Sequence, residues 1–491
     1  METLQRTANR GSISTGYDID NSVKLEADNT EYMDRVITSQ GNQKTFTISA
    51  WVKRTEVNSS ADGFGHTFFF GGAYGNEAVI LRFNTGTTSN VDALQIGIGI
   101  GTTQNRSYTQ RKFRDTSAWY HIVLAVDTTQ STATDRFKLY VNGVLETEYA
   151  SRNNPAQNLD TGNNKAQSAT YANNVGAYKS AGTVYGKFCG YIAEVYNIDG
   201  SALAPTAFGE FDEDTGIWKP IEYTGSFPNN SFYLDFKDSS DLGAQAKGDD
   251  RNFTTYNITS ADQATDTPTN NFCTINPLIP YYGSVSEGAT KFLHTAGGDG
   301  WESFVATMGA GASGKWYAEF KFVDSDNDNF IGICPIDDPD LNRGADHFSF
   351  YGGDTSLDES VGYYATNGQR YIGGGGSAYG NTYARTNIMS IAVDMDNGKL
   401  YFAKDGVWQN SGDPTSGATG TGALDVRGAT KPQSLGASNY YSGEDILANY
   451  GGFTTISISS PQSDANGYGT FEYAPPSGYY ALCTKNLAVY G

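Results

Sequence analysis

Histidine is scarce in this chain, with His66, His121, His294 and His347 among 491 residues. None is spaced from another as paired metal ligands are, so neither a zinc site nor a histidine-based triad is expected. His121 falls in a strand-like run and is expected to be structural. Cysteine is as rare: Cys189, Cys273, Cys334 and Cys483 lie far apart, with no C-x-x-C pair. Cys189 (KFCGYI) and Cys334 (IGICPI) sit in apolar runs, where a free thiol packs as a small hydrophobe. A disulfide-stapled secreted scaffold is excluded. Lysine and leucine are sparse, and apolar residues nowhere recur at helical spacing for more than about two turns. No apolar run approaches the length that spans a bilayer, so no membrane insertion is expected. The N-terminal METLQRTANRGSISTGYDID has no apolar segment of signal-peptide type. The expectation is a product made in a cytoplasm that reaches the outside by release, not by ordinary export. Basic charge is also short: 33 Lys and Arg stand against 54 Asp and Glu, a formal net charge of −21. Phosphates would be repelled, which argues against a nucleic-acid partner.

The chain is rich in the residues of strands and turns. It holds 58 Gly, 33 Tyr and 26 Phe at only 38% hydrophobic and 18% charged content, the profile of many short strands joined by polar turns. The clearest segment is Trp119–Val144. Ile122, Leu124 and Val126 alternate with Val123, Ala125 and Asp127; after a polar turn, Phe137, Leu139 and Val141 alternate with Lys138, Tyr140 and Asn142, and Asn142-Gly143 supplies a tight turn. The pattern returns in Ile388–Val407, where Ala392-Val393-Asp394 matches Ala125-Val126-Asp127 and Lys399-Leu400-Tyr401 matches Lys138-Leu139-Tyr140. Copies about 265 residues apart indicate two domains of related architecture, not a repeat array.

In chain order, residues 1–22 read as an extended arm, mobile or laid on a neighbour. Residues 23–205 read as a β-sandwich with a long polar loop at Ser151–Ala172 on one rim. Residues 206–283, with short aromatic-acidic pieces, read as an irregular connector with little core of its own. Residues 284–491 are strand-rich again and long enough for a second sandwich.

Segment 23–205 resembles the laminin-G-like, concanavalin A-like jelly roll through Phe46–Arg54 (FTISAWVKR), Trp119–Asp127 (WYHIVLAVD), Phe137–Leu145 (FKLYVNGVL) and Gly190–Asn197 (GYIAEVYN). Segment 284–491 resembles a SPRY domain, itself a concanavalin A-like sandwich, through Trp316–Phe322 (WYAEFKF), Ile331–Ile333, Val361–Tyr364, the second hairpin and Thr470–Ala481 (TFEYAPPSGYYA). The fold expected is therefore all-β: two jelly-roll sandwiches joined by a connector. The whole order, from RTANRGSISTGYDIDNS to GYYALCTKNL, resembles tail-fibre-like or structural virion proteins of marine bacteriophages. That resemblance implies a non-enzymatic virion surface protein, made in the host cytoplasm and released by lysis. Its partners would be other virion proteins, further copies of itself and a host cell-surface glycan. A capsid or tail cement protein is the alternative, and a polysaccharide depolymerase a third, disfavoured one.

Four constellations have the residue types of a chemical site. Glu210, Asp212 and Asp214 in EFDED alternate like the carboxylates of some concanavalin A-like glycosidases, but they lie beyond the last sandwich strand and read as a solvated turn, leaving no catalytic residue. Asp324, Asp326 and Asp328 alternate in an acidic loop that could suit Ca²⁺, yet the EF-hand form fails, because Asn329 stands where its glycine belongs. No cofactor or metal is expected. The histidines are dispersed, as above. Gly373–Gly376 is no phosphate loop; flanked by Tyr363, Tyr364, Tyr371, Tyr379 and Tyr383, it reads as a rim loop presenting aromatics. With Trp408 of the second hairpin, those rings are the expected carbohydrate-binding residues, since an aromatic face stacks on a sugar while its polar tip hydrogen-bonds.

Overall fold

A computed structural model describes residues 16–57, 63–73, 77–85, 89–99, 105–166, 172–180, 182–249, 251–279, 283–295, 298–323, 328–336, 360–372, 375–426 and 431–491. Among the described residues the chain is nearly all-β, built from stacked sheets. It divides into two compact units, Met1–Thr269 and Asn270–Gly491.

In the first unit, the strands Phe137–Val141, Trp119–Asp127, Thr45–Arg54, Gly190–Asp199 and Ser22–Leu25 lie side by side in one sheet. The facing sheet runs Arg106–Lys112, Ala93–Ile98, Glu77–Phe83, His66–Ala73, Ala172–Val175, Tyr32–Val36. Period-2 alternation sends Phe46, Ile48, Ala50 and Val52, with Ile122, Leu124, Val126, Phe137 and Leu139, into the core between them. The opposite face of the first sheet is also covered. Thr47 is bound by Leu203 and Ser201, and Lys53 pairs with Asp266 at 2.6 Å, both groups fully buried.

Much of that cover comes from the stretch read as a connector, which has a larger share in the core than its composition suggests. Phe232–Leu234 pairs with the strand Gly190–Asp199, Thr254–Tyr256 extends the facing sheet beside Tyr32, and Phe232, Leu234, Phe236, Leu242 and Phe253 join the core. Strands of three residues are too short to show a period, so their contribution becomes visible only once they pair. Residues from Asn270 onward belong to the second unit, and Cys273 and Ile275 are in its core. The polar loop at Ser151–Ala172 is likewise not all rim. Thr161–Asn164 is buried, and the Asn163 and Asn164 side chains reach Asn197 of one sheet and, from Asn163, Asn173 of the other. These bonds run from amide to amide, which is what lets polar side chains enter an interior. The arm, where described, lies on its own unit: Ile19 N–H donates to Thr269 Oγ1 at 3.0 Å and Tyr17 reaches Glu194.

In the second unit, Lys399–Lys404, Ile388–Asp394, Lys315–Phe322 and Asp445–Asn449 form one sheet. The other runs Glu302–Phe304, Gln433–Asn439, Asn329–Pro335, Val361–Tyr364, Gln369–Ile372 and Gly375–Ala378. The duplicated hairpin occupies the same place in each unit. Ala125 faces Thr47 of its central strand as Ala392 faces Tyr317. Within the hairpins the register differs by two residues: Ala125 opposes Lys138, whereas Ala392 opposes Tyr401, the residue matching Tyr140. A two-residue shift preserves the face, so Met389, Ile391, Val393 and Leu400 still point into the core.

The four cysteines are buried and none is in a disulfide, as expected of Cys189 and Cys334 from the apolar runs that hold them. Among the described residues no helix is long and apolar enough to cross a membrane.

Candidate functional site

The five tyrosines expected to be displayed are packed inside the second unit. Tyr363, Tyr379 and Tyr383 belong to the core between its sheets. Tyr383 O–H donates to the carbonyl of Tyr363 at 2.7 Å, Tyr363 O–H to that of Asn381, and the Tyr379 hydroxyl accepts from Phe402 N–H at 3.3 Å. Tyr364 and Tyr371 project to the other face and pack with Val305, Phe330 and Cys334. Gly375 and Gly376 are not loop but edge strand, Gly375–Ala378; Gly373 and Gly374 lie outside the described residues. The picture of a rim loop presenting these rings is therefore corrected: strand alternation assigns Tyr363 and Tyr364 to opposite faces, and both faces are covered. Trp408 is half-buried, edge-on to Tyr401 at 6.4 Å.

Three other rings occupy the rim at the end of this sheet. The strands beginning at Asn329 and Glu302 and those ending at Tyr364 and Asn439 converge there, with Asn439 opposite both Asn329 and Glu302, and Phe330 opposite Tyr364. The loops leaving them carry Trp301, Tyr440 and Tyr441, all half-buried. Trp301 packs edge-on to Phe330 (5.1 Å), Tyr364 (6.1 Å) and Tyr440 (5.5 Å), and Tyr440 packs on Tyr441 at 5.2 Å. At their centre is Asp328. Its Oδ1 accepts from Thr366 at 3.0 Å and from Tyr364, and its Oδ2 from Tyr441 at 3.1 Å. Thr366 and Asn367 are exposed beside it. Tyr364 and Tyr371 are thus the floor of an aromatic rim whose accessible rings the sequence reading missed. Trp301 and Tyr440-Tyr441 are each about 60 to 80 residues from that floor, in different loops, and no local spacing links them. Of the acidic loop where Ca²⁺ is not expected despite its alternating carboxylates, Asp324 and Asp326 lie outside the described residues, and hydroxyls engage both oxygens of Asp328.

The carboxylates of EFDED stand on a two-stranded hairpin, Gly209–Phe211 with Trp218–Pro220, outside both main sheets. Lys219 Nζ is 3.3 Å from both Glu210 and Asp212. Thr215 and Lys219 hold the Asp212 carboxyl below its ordinary range. Asp214 N–H in turn donates to Asp212 at 3.2 Å. This is a solvated turn closed by a lysine.

His121 is buried between Ser49 and Trp218. The indole N–H of Trp218, which can only donate, points at Nδ1 (2.9 Å); Nε2 therefore carries the proton and donates to Ser49 Oγ at 2.8 Å. Burial pushes the imidazole down to about 3. An indole stands where a triad needs a carboxylate, and a ring that already donates to Ser49 cannot take its proton.

The most perturbed carboxyl of the first unit is Glu194. It adopts φ +53° in the strand Gly190–Asp199, where the register against Thr45–Arg54 slips between Ala193 and Tyr196. This is a bulge, and it re-aims the side chain. Three hydroxyls converge on it: Tyr17 (3.0 Å) and Tyr196 (2.7 Å) on Oε2, Tyr233 (2.5 Å) on Oε1. Burial raises the carboxyl, the hydroxyls oppose it, and the balance leaves it at about 7. The group is 4% exposed and capped by Tyr17 of the chain's own arm, which suits a packing role better than contact with a substrate.

Residues 25–195 match the family described as the concanavalin A-like lectin/glucanases superfamily, laminin-G type. That match carries the laminin-G-like reading of the first sandwich. No curated protein matches the chain. Similar solved structures include a human SPRY domain (14% identity, TM-score 0.26, covering 34% of this chain and 95% of that one). A Bacteroides ovatus protein described as a putative carbohydrate-binding protein is also similar (17%, 0.31, 49% and 58%). So is domain 4 of an extracellular arabinanase of Geobacillus stearothermophilus, solved with arabinotriose (22%, 0.27, 41% and 83%). Each is a likeness of fold.

Proposed function

We propose that the protein is a non-enzymatic glycan-binding protein of a bacteriophage virion surface, tail-fibre-like, and that the rim of its second unit is the contact surface. One observation carries the reading: half-buried Trp301, Tyr440 and Tyr441 surround a hydrogen-bonded Asp328 beside exposed Thr366 and Asn367. Flat apolar rings next to a carboxylate and an amide meet the two sides of a sugar, its C–H face and its hydroxyls. Strands hold the rim rigidly, so capture costs little ordering entropy, and many copies on a virion would turn weak contacts into avidity. The match of residues 25–195, in the first unit, to the lectin/glucanase superfamily supports a glycan as the class of ligand for the chain and does not bear on this rim.

The test is binding of the full chain to arrayed bacterial polysaccharides and to whole marine bacteria. Wild type is expected to bind, Trp301→Ala and Tyr441→Ala to lose about three- to tenfold in affinity while still folded at the assay temperature, and Phe211→Ala, on the other unit, to bind normally. No binding by wild type to any cell or glycan would overturn the proposal. The cement alternative is tested by deleting residues 1–15, because Tyr17, Ile19 and Ser22 are bonded into the sandwich. Particles that incorporate the truncated protein but lose stability would favour cement over adhesion.

A further inference from the structure

One end of the first sandwich gathers the residues that the sequence scatters most widely. Glu26 follows the strand Ser22–Leu25, Glu56 follows Thr45–Arg54, His66 opens His66–Ala73, and Cys189 precedes Gly190–Asp199. The ligand atoms of Glu56, His66 and Cys189 all lie within 4.8 Å of one another. His66 Nε2 is 3.4 Å from Glu56 Oε2, and Cys189 Sγ is 3.4 Å from Glu26 Oε1. Backbone bonds hold these segments together: Thr55 N–H donates to the Cys189 carbonyl, and Thr67 N–H to that of Gly186. Gly190, at φ +139°, permits the closest approach, because a Cβ there would be 2.0 Å from the Lys53 carbonyl oxygen.

We propose that Glu26, Glu56, His66 and Cys189 form a structural site for Zn²⁺ or a chemically similar transition-metal ion, which staples the two sheets of the first sandwich at this end. Tetrahedral zinc takes sulfur at about 2.3 Å and nitrogen or oxygen at about 2.0–2.2 Å, which places ligand atoms about 3.4–3.7 Å apart. Two of the separations here already have that length, and among Glu56, His66 and Cys189 a movement of about 1 Å closes the widest, while Glu26 would join through its contact with Cys189 Sγ. A thiolate and an imidazole select a borderline ion over Ca²⁺ or Mg²⁺, which prefer oxygen alone. Four protein ligands leave no open position, the mark of a structural site rather than a catalytic one. Glu26, His66 and Cys189 are buried, and the Glu56 side chain, 29% exposed, gives the ion its way in. Loading exchanges the thiol proton for the metal and delivers that proton to solvent. Three of the ligands belong to one sheet and His66 to the other, so the ion would tie the sheets together.

The test is metal content of the desalted full chain, with Co²⁺ as the spectroscopic probe. One ion per chain is expected, with a sulfur-to-cobalt charge-transfer band, tetrahedral visible bands and a melting temperature raised by Zn²⁺. Cys189→Ala should abolish the charge-transfer band. Glu56→Gln, at the partly exposed position and thus least disruptive to folding, should weaken Zn²⁺ at least about tenfold. A folded wild type that takes up no Zn²⁺, or Co²⁺ bound only octahedrally without sulfur as on any acidic surface, would overturn the site. An unchanged charge-transfer band in Cys189→Ala would do the same. The readout is independent of glycan binding.

Discussion

Replacing Glu194 by Gln should stabilise the protein at pH 8 and do so much less at pH 5. The glutamate carboxyl is at about 7 in the folded chain against an ordinary 4.5. Between those values the folded state holds a proton that the unfolded state has released, so unfolding free energy falls as pH rises. The stabilising effect of the protonated carboxyl is full below pH 4.5 and gone once pH passes about 7. At about 1.4 kcal/mol for each tenfold change in proton affinity, the loss is about 3 kcal/mol by pH 8, an order-of-magnitude figure for a group 4% exposed. Glutamine keeps the size, the positive φ and an acceptor oxygen for the tyrosines, but it never ionises. Every other titrating group is common to both proteins, so the difference between their denaturation free energies, measured by urea at each pH, isolates Glu194. The expected difference grows from under about 1 kcal/mol at pH 5 to about 3 kcal/mol in favour of the variant at pH 8. A difference that does not change with pH would refute the account, because it would mean that the tyrosine hydroxyls stabilise the anion as well as water does.

Two further outcomes follow from the same unit. His121, held down at about 3, works with the opposite sign: the unfolded imidazole takes a proton below about 6.5 and the folded one does not, so stability falls as pH drops from there toward 3. His121→Gln should flatten that limb, and the ring nitrogens of wild type should show the neutral Nε2–H tautomer by NMR at pH 5. Gly143→Ala should destabilise by about 1–3 kcal/mol and change the tryptophan emission, since Gly143 has φ +77° and a Cβ there would meet the Trp218 ring at 2.2 Å.

Sequence alone determined the fold class, the faces of the long strands and the doubling of the architecture. Side chains alternate with period 2, so Ile122, Leu124 and Val126 are recognisable as core before any partner is known, and so are Ile391 and Val393. The free buried thiols and the solvated turn at Glu210–Asp214 were legible for similarly local reasons. What only the tertiary structure decided is what covers each face. Tyr363, Tyr364, Tyr371, Tyr379 and Tyr383 have the composition of a sugar-binding loop, yet packing buries them, while Trp301 and the pair Tyr440-Tyr441, from two distant stretches, reach the rim. The same holds for Thr161–Asn164, which a polar composition assigns to solvent and a network of amides places inside. Positions 26, 56, 66 and 189 show no ligand spacing, because they become neighbours only where strands of both sheets end together. Alternation is a property of the chain; burial and proximity are properties of its partners, and those are set by pairing across tens to hundreds of residues.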